Sequence, residues 1–167
     1  MRKTLATISV ALPVLASLFV GTGAALATTA PPVTPVLTEI STSHAASARV
    51  DLVAFKFREA APTCTAAYVP RPGLIADPSG KLLFVTGRSF VKVTCHPAAA
   101  HDAQGQPTAP RNLFSGTTTN VIQVKLGGDF EAVLTYFVGL RQGQPAPPVQ
   151  PTVSTQGNMA VVGIPTN

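Results

Sequence analysis

Hydrophobic and polar positions alternate most regularly between Asn120 and Leu140. Residues 121–126 and 130–138 both show the period of two that is typical of strands with one buried face. Gly127-Gly128 separates the two runs, and glycine tolerates the positive φ angles that a tight hairpin turn requires. The pattern therefore predicts a central β-hairpin whose turn lies at these two glycines.

Shorter runs of the same kind occur along the rest of the chain, separated by Gly and Pro turn signals. The longest irregular stretch between them is His96 to Thr119, and Gly87-Arg88 is interpreted as a further hairpin turn. Eight short strands with turns between them predict an all-β fold, a single antiparallel β-sandwich. Outside the central hairpin, the predicted strands are Arg49–Arg58, Thr63–Val69, Lys81–Thr86, Ser89–Cys95, Thr152–Thr155 and Met159–Ile164.

The N-terminus has the pattern of an exported protein. Arg2 and Lys3 precede an uncharged apolar run, and Ala25-Leu26-Ala27 resembles a cleavage site, so residues 1–27 are predicted to be a signal peptide. A retained membrane anchor is the alternative, but the run is short and contains Pro13. We expect a secreted or envelope-associated chain with no membrane span after cleavage.

Residues 28–47 are rich in Thr, Pro and Ala and show no periodicity, which predicts a flexible tether. The folded domain is then expected at residues 48–165, and its length fits one core. Without Arg2 and Lys3 the formal charge falls from +5 to +3, with no cluster of basic residues. That distribution does not favour nucleic-acid binding, and nothing in the sequence indicates a cofactor.

The two cysteines, Cys64 and Cys95, both follow the predicted signal peptide. An even number of cysteines in an exported chain predicts a disulfide, which would stabilise the fold by roughly 3–4 kcal/mol. A metal site built from both cysteines with His96 and His101 is the alternative. Its ligand spacing matches no usual zinc pattern, so no metal is predicted.

Four stretches together resemble the bacterial AMIN-like domain family, which takes its name from the non-catalytic N-terminal module of cell-wall amidases. They are DLVAFKF (51–57), AAYV (66–69), AHDAQGQPT (100–108) and GGDFEAVLTYFVGL (127–140). The resemblance covers roughly residues 49–164. It implies an exported β-sandwich with an envelope-associated binding role and no established chemistry.

The family's motifs include a His-Asp-x-x-Gly loop and a Gly-Asp-Phe-Glu segment. They place four polar residues in this chain as candidates for a ligand site: His101, Asp102, Asp129 and Glu131. A carboxylate pair two residues apart on a strand shares one side and could bind a cation or serve acid–base chemistry. Ordinary turn chemistry is the favoured explanation of the same residues, with Asp129 holding a turn and Glu131 facing solvent. If all four converge at one end of the sandwich, they form a polar rim suited to a ligand.

Three functions fit this sequence. The favoured interpretation is a secreted, non-catalytic, envelope-associated domain that binds a wall polymer or an envelope protein. The first alternative is a small secreted hydrolase that uses the His101/Asp102 and Asp129/Glu131 groups, although no Gly-x-Ser-x-Gly motif or zinc helix is present. The second is an inhibitor of secreted proteases that presents the Pro-rich loop 104–116.

Overall fold

The computed structural model describes residues 33–71, 74–144 and 149–166. Within these ranges the chain consists mainly of strands and their connections, with a 3-10 turn at Ala46–Ala48. The strands are β1 (Leu37–Ala45), β2 (Val50–Phe57), β3 (Thr63–Val69), β4 (Ile75–Ala76), β5 (Lys81–Leu82), β6 (Ser89–His96), β7 (Asn112–Phe114), β8 (Val121–Phe130), β9 (Val133–Leu140), β10 (Thr152–Gln156) and β11 (Met159–Pro165).

The strands form two main antiparallel sheets, which confirms the predicted all-β sandwich. The first sheet has the order β1-β2-β11-β10, the second has the order β3-β6-β9-β8-β7, and β4 pairs only with β5. The described chain has eleven strands rather than eight, because β1, β4 and β7 were not predicted. The inner faces of the two large sheets share one apolar core, in which the rings of Phe55 and Tyr136 lie 5.5 Å apart.

Regular alternation located several strands to within a residue or two. β2, β3 and β6 match their predictions closely, and β10 and β11 form the expected closing hairpin around Gly157. The predicted disulfide is also confirmed, since Cys64 lies directly opposite Cys95 in the β3–β6 register and the two sulfur atoms are bonded.

The tether prediction is wrong for its C-terminal part, because residues 37–45 form β1. This strand pairs along its whole length with β2 and buries Leu37 and Ile40 in the core. Most of its other residues are Ser, Thr or His and lie at the sheet edge, so the hydrophobic pattern is too weak to reveal a strand. Pairing with β2 satisfies backbone N–H and C=O groups of β1, which a side-chain pattern cannot show.

The hairpin turn is also displaced from its predicted position. β8 continues through Gly127 and Gly128, and the chain reverses at Glu131 and Ala132, which both adopt positive φ angles. The glycines serve close packing instead. A Cβ at Gly128 would lie 2.8 Å from the Cβ of Asp77, which belongs to a segment crossing the outer face of the sheet.

That crossing segment, residues 74–86, is called the flap here. It contains β4 and β5, and its side chains Leu74 and Val85 pack against Phe90 and Phe137 on the outer face of the five-stranded sheet. The predicted strand Lys81–Thr86 is therefore only partly right. Its first two residues pair with β4, and the rest lies on the sheet without forming a hairpin with β6.

The predicted signal peptide, residues 1–27, lies outside the described residues. Among the residues that are described, no helix is both long and apolar enough to cross a membrane.

Candidate functional site

A histidine–aspartate pair joins two segments that are distant in sequence. His101 follows β6 in the long connection to β7, and Asp129 is the penultimate residue of β8. The Nδ1 atom of His101 lies 2.7 Å from Oδ2 of Asp129, and the backbone N–H of Ala100 donates to the same oxygen at 3.0 Å. Because a carboxylate accepts, His101 donates from Nδ1. This contact fixes the ring orientation and leaves Nε2 without a recorded partner among the described residues.

The other carboxylate oxygen of Asp129 is unusual. Oδ1 is buried and has no hydrogen-bond partner among the described residues. Buried polar atoms are almost always paired, because an unpaired one loses its hydration without compensation. A donor from outside the protein, either water or a ligand group, would satisfy this oxygen.

The other two candidate residues have different roles. Asp102 organises its own loop, where its Oδ1 accepts hydrogen bonds from the backbone N–H groups of Gln104 and Gln106. Glu131 is exposed in the β8–β9 turn and has no recorded side-chain partner in the described parts of the chain. The expectation that Asp129 and Glu131 project together from one strand fails, because Glu131 lies in the turn. Only His101 and Asp129 are in contact.

A cleft of about 270 Å³ opens beside this pair. It adjoins a larger groove of about 520 Å³ that runs between the flap and β8. Arg111 lines both and is exposed, and the structure records no hydrogen bond or ion pair for its guanidinium group within the described residues. The residues lining the cleft are Ala100, His101, Gly105, Pro107, Arg111, Leu126 and Asp129.

Tyr136 lies beneath the same cleft, in the sandwich core. Its hydroxyl donates to the carbonyl oxygen of Pro110 at 3.0 Å. Burial, assisted by the negative charge of Asp129, raises the pKa of Tyr136 above its ordinary value, while Arg111 acts in the opposite direction. Tyr136 is therefore a neutral hydrogen-bond donor that anchors the loop preceding Arg111.

Arg111 was not among the residues selected from sequence. It lies in the irregular stretch that was singled out only as a long loop, and no local pattern distinguishes it from the other arginines. Its position in the site comes from β7, which pairs with β8 and brings residues 110–112 alongside Leu126.

The structure is inconsistent with the metal site considered as an alternative. Cys64 and Cys95 are bonded to each other, so neither offers a free thiolate. Among the described residues, no group of three or more His, Cys, Asp or Glu side chains has an arrangement that could hold a metal ion.

A second histidine–aspartate pair was missed because His44 was assigned to the tether. Its Nδ1 lies 2.8 Å from Oδ1 of Asp51, which is fully buried in β2. The other oxygen of Asp51 accepts from the backbone N–H groups of Asn120 and Val121 at 2.6 and 2.8 Å. These two residues lead into β8 of the other sheet, so the Asp51 carboxylate joins the two sheets directly.

The electrostatics of Asp51 follow from these contacts. Burial by itself would raise the pKa of this carboxyl group, but the hydrogen bonds from Val121, Asn120, His44 and Thr119 outweigh burial and hold the pKa below its ordinary value. Asp51 is thus a buried carboxylate whose charged form is stabilised by hydrogen bonds, a role that fits structure rather than ligand binding.

The model of the AMIN-like domain family matches residues 35–161. The match covers most of the chain, and the chain belongs to the AMIN-like domain family, as the sequence resemblance indicated. The matched range begins near β1, in agreement with the corrected start of the domain. Neither the search of curated proteins nor the search of solved structures returned a match.

The arrangement at the cleft is suited to recognition of a polar ligand. His101 presents Nε2 as a donor when protonated and as an acceptor when neutral, and Arg111 supplies a planar guanidinium group with several donors. None of the described residues that line the cleft is a serine, threonine or cysteine. The described lining therefore contains no side-chain hydroxyl or thiol that could act as a nucleophile.

Proposed function

We propose that this protein is an exported, non-catalytic domain of the cell envelope, and that it binds a wall polymer or an envelope protein through the cleft beside His101. The observation that carries this proposal is the His101–Asp129 contact of 2.7 Å next to the unpaired Arg111. The family supports the envelope assignment, since its name refers to a non-catalytic module of cell-wall amidases.

The charges favour an anionic group on the ligand. A carboxylate or phosphate would form a bidentate pair with the guanidinium group of Arg111. It would also accept a hydrogen bond from Nε2 of His101 when that nitrogen is protonated. Asp129 faces the protein interior with most of its surface, and only 13% of its side chain is exposed. Its role is to orient the imidazole ring rather than to repel the ligand.

Retention by purified cell wall tests the proposal. The exported protein should cosediment with wall material in a saturable way, and salt should weaken the binding. His101→Ala and Arg111→Gln should each weaken retention about tenfold, since each removes a charge-assisted hydrogen bond. Arg49→Gln is the matched control, because it removes the same charge at the N-terminal end of β2.

Two outcomes would contradict the proposal in different ways. Absence of retention at low salt would exclude wall polymers and leave an envelope protein as the ligand, to be sought by crosslinking. Turnover of a wall substrate that His101→Ala abolishes would instead support the small secreted hydrolase.

A further inference from the structure

The side of the flap that faces away from the sheet carries an exposed apolar patch. This patch, called the crest here, is formed by Ile75, Leu82 and Phe84. Leu82 and Phe84 are 68% and 80% exposed, and Ile75 lies directly opposite Leu82 in the β4–β5 pair. Alternate residues of the flap point the other way, and among them Val85 is buried against the sheet. The flap thus covers one apolar surface while it presents a second one to solvent.

Phe114 extends this crest from the neighbouring edge strand. It lies opposite Gln123 in the β7–β8 register, so both side chains are on the outer face of the sheet. Gln123 accepts a hydrogen bond from the backbone N–H of Thr86 in the flap at 2.6 Å, and Phe114 is 60% exposed. Four of the large exposed apolar side chains therefore lie on the flap or on the neighbouring outer face of β7.

Cations flank the crest. Lys92 and Lys125 both lie opposite Phe137, on β6 and β8 respectively, so they stand on either side of the residue that supports the flap. Lys81 adjoins Leu82 within the flap itself, and Lys125 donates from Nζ to the carbonyl oxygen of Phe84 at 2.9 Å. Among the seven acidic residues of the chain, Asp77 alone belongs to the flap.

The size and shape of the crest restrict what can cover it. Its four side chains expose roughly 500 Å² in total, taking about 200 Å² for each fully exposed side chain. A stable protein interface needs about 800 Å² on each partner, so the crest alone is too small for one. A few projecting apolar side chains beside lysines are instead the arrangement that inserts into the headgroup boundary of a lipid bilayer.

We propose that the flap docks this domain onto an anionic lipid surface. Leu82 and Phe84 enter the boundary between headgroups and acyl chains, while Lys81, Lys92 and Lys125 pair with the phosphate groups of anionic lipids. This site is separate from the cleft beside His101, and the inference does not depend on wall binding. Apolar insertion and charge attraction act together, since neither holds a protein firmly alone.

Vesicle cosedimentation tests the proposal with the exported protein. The probes are vesicles of phosphatidylglycerol mixed with phosphatidylcholine and vesicles of phosphatidylcholine alone. The protein should bind the anionic vesicles more strongly, and the double substitution Leu82→Ser with Phe84→Ser should lower its partition at least about tenfold. Phe130→Ser is the matched control, because Phe130 is an exposed phenylalanine that does not belong to the flap or to the crest.

The charges and the contact surface have separate readouts. Lys81→Gln with Lys92→Gln should lower the partition and reduce its dependence on salt. The chain contains no tryptophan, so Phe84→Trp introduces a single fluorescent reporter. Its emission should shift to the blue when anionic vesicles are added, whereas that of Phe130→Trp should stay constant.

Equal binding to both kinds of vesicle, or binding that the flap substitutions leave unchanged, would overturn the proposal. So would a lack of binding at low salt. His101→Ala separates wall binding from lipid docking, because it should weaken retention by cell wall and leave vesicle binding unchanged.

Discussion

The two histidine–aspartate pairs, His44–Asp51 and His101–Asp129, combine the same two residue types for different purposes. Asp51 contacts the chain where β8 begins, and Asp129 lies almost at the end of β8. Along an extended strand the two positions are about 30 Å apart. In both pairs Nδ1 of the histidine meets a carboxylate oxygen at 2.7–2.8 Å. The difference lies in what surrounds the carboxylate.

Both oxygens of Asp51 are fully engaged. Oδ2 holds two backbone N–H groups, and Oδ1 accepts from His44 and from the backbone and hydroxyl of Thr119. Asp129 uses one oxygen and leaves the other unpaired, while 43% of the His101 side chain remains exposed beside a cleft. The saturated carboxylate stabilises the fold, whereas Asp129 orients an imidazole ring that is partly exposed beside an open cleft and is available for binding.

Replacing the two aspartates tests this contrast most strongly. Asp51→Asn should lower the free energy of unfolding by about 3–5 kcal/mol, because its amide group would face several buried donors that now converge on a charge. Asp129→Asn should cost only about 1 kcal/mol, since fewer donors depend on it. Urea denaturation with the disulfide intact measures both, and equal losses would contradict the distinction.

The dependence of stability on pH sharpens the same contrast. The folded-state pKa of Asp51 lies below its ordinary value of 3.8. Its contribution to stability is therefore complete above the ordinary value and is lost as the pH falls through it towards the folded-state pKa. The free energy of unfolding of the native protein should decline below about pH 4.

Asp51→Asn is the matched comparison in this titration. It removes the titrating group, so its stability should decline less steeply than that of the native protein over the same acid range. A variant that loses stability in parallel with the native protein would show that other carboxylates dominate the acid response.

The sequence was informative where each strand carries its own alternating pattern. β2, β3 and the β10–β11 hairpin have one face in the core, and their boundaries follow from local periodicity alone. The sequence was uninformative where contacts with a distant segment determine the local structure. β1 is held by β2, and Gly128 is required because the flap crosses above it.

The candidate site shows the same division. His101 and Asp129 were selected as residues capable of chemistry, but their contact spans 28 positions and depends on how β8 returns beside the β6–β7 connection. Arg111 and His44 had no local signal. The first becomes part of the cleft only through β7, and the second is placed by β1, which the hydrophobic pattern does not reveal.

Replacing the two histidines should give the smallest effects on stability and the clearest separation of roles. His44→Ala should lower the free energy of unfolding by about 1–1.5 kcal/mol, because it removes a donor from a buried carboxylate. His101→Ala should cost about 0.5 kcal/mol, the low end for a partly exposed hydrogen bond. The same two variants are then compared for retention by cell wall.

The order of the effects should reverse in the binding measurement. His101→Ala should lose about tenfold in retention, as its imidazole faces the cleft, whereas His44→Ala should bind like the native protein under conditions where both are folded. If His44→Ala also lost binding in proportion to its stability, retention would report the folded fraction rather than the site. A reversal, in contrast, is the result expected if the saturated pair serves the fold and the open pair serves the ligand.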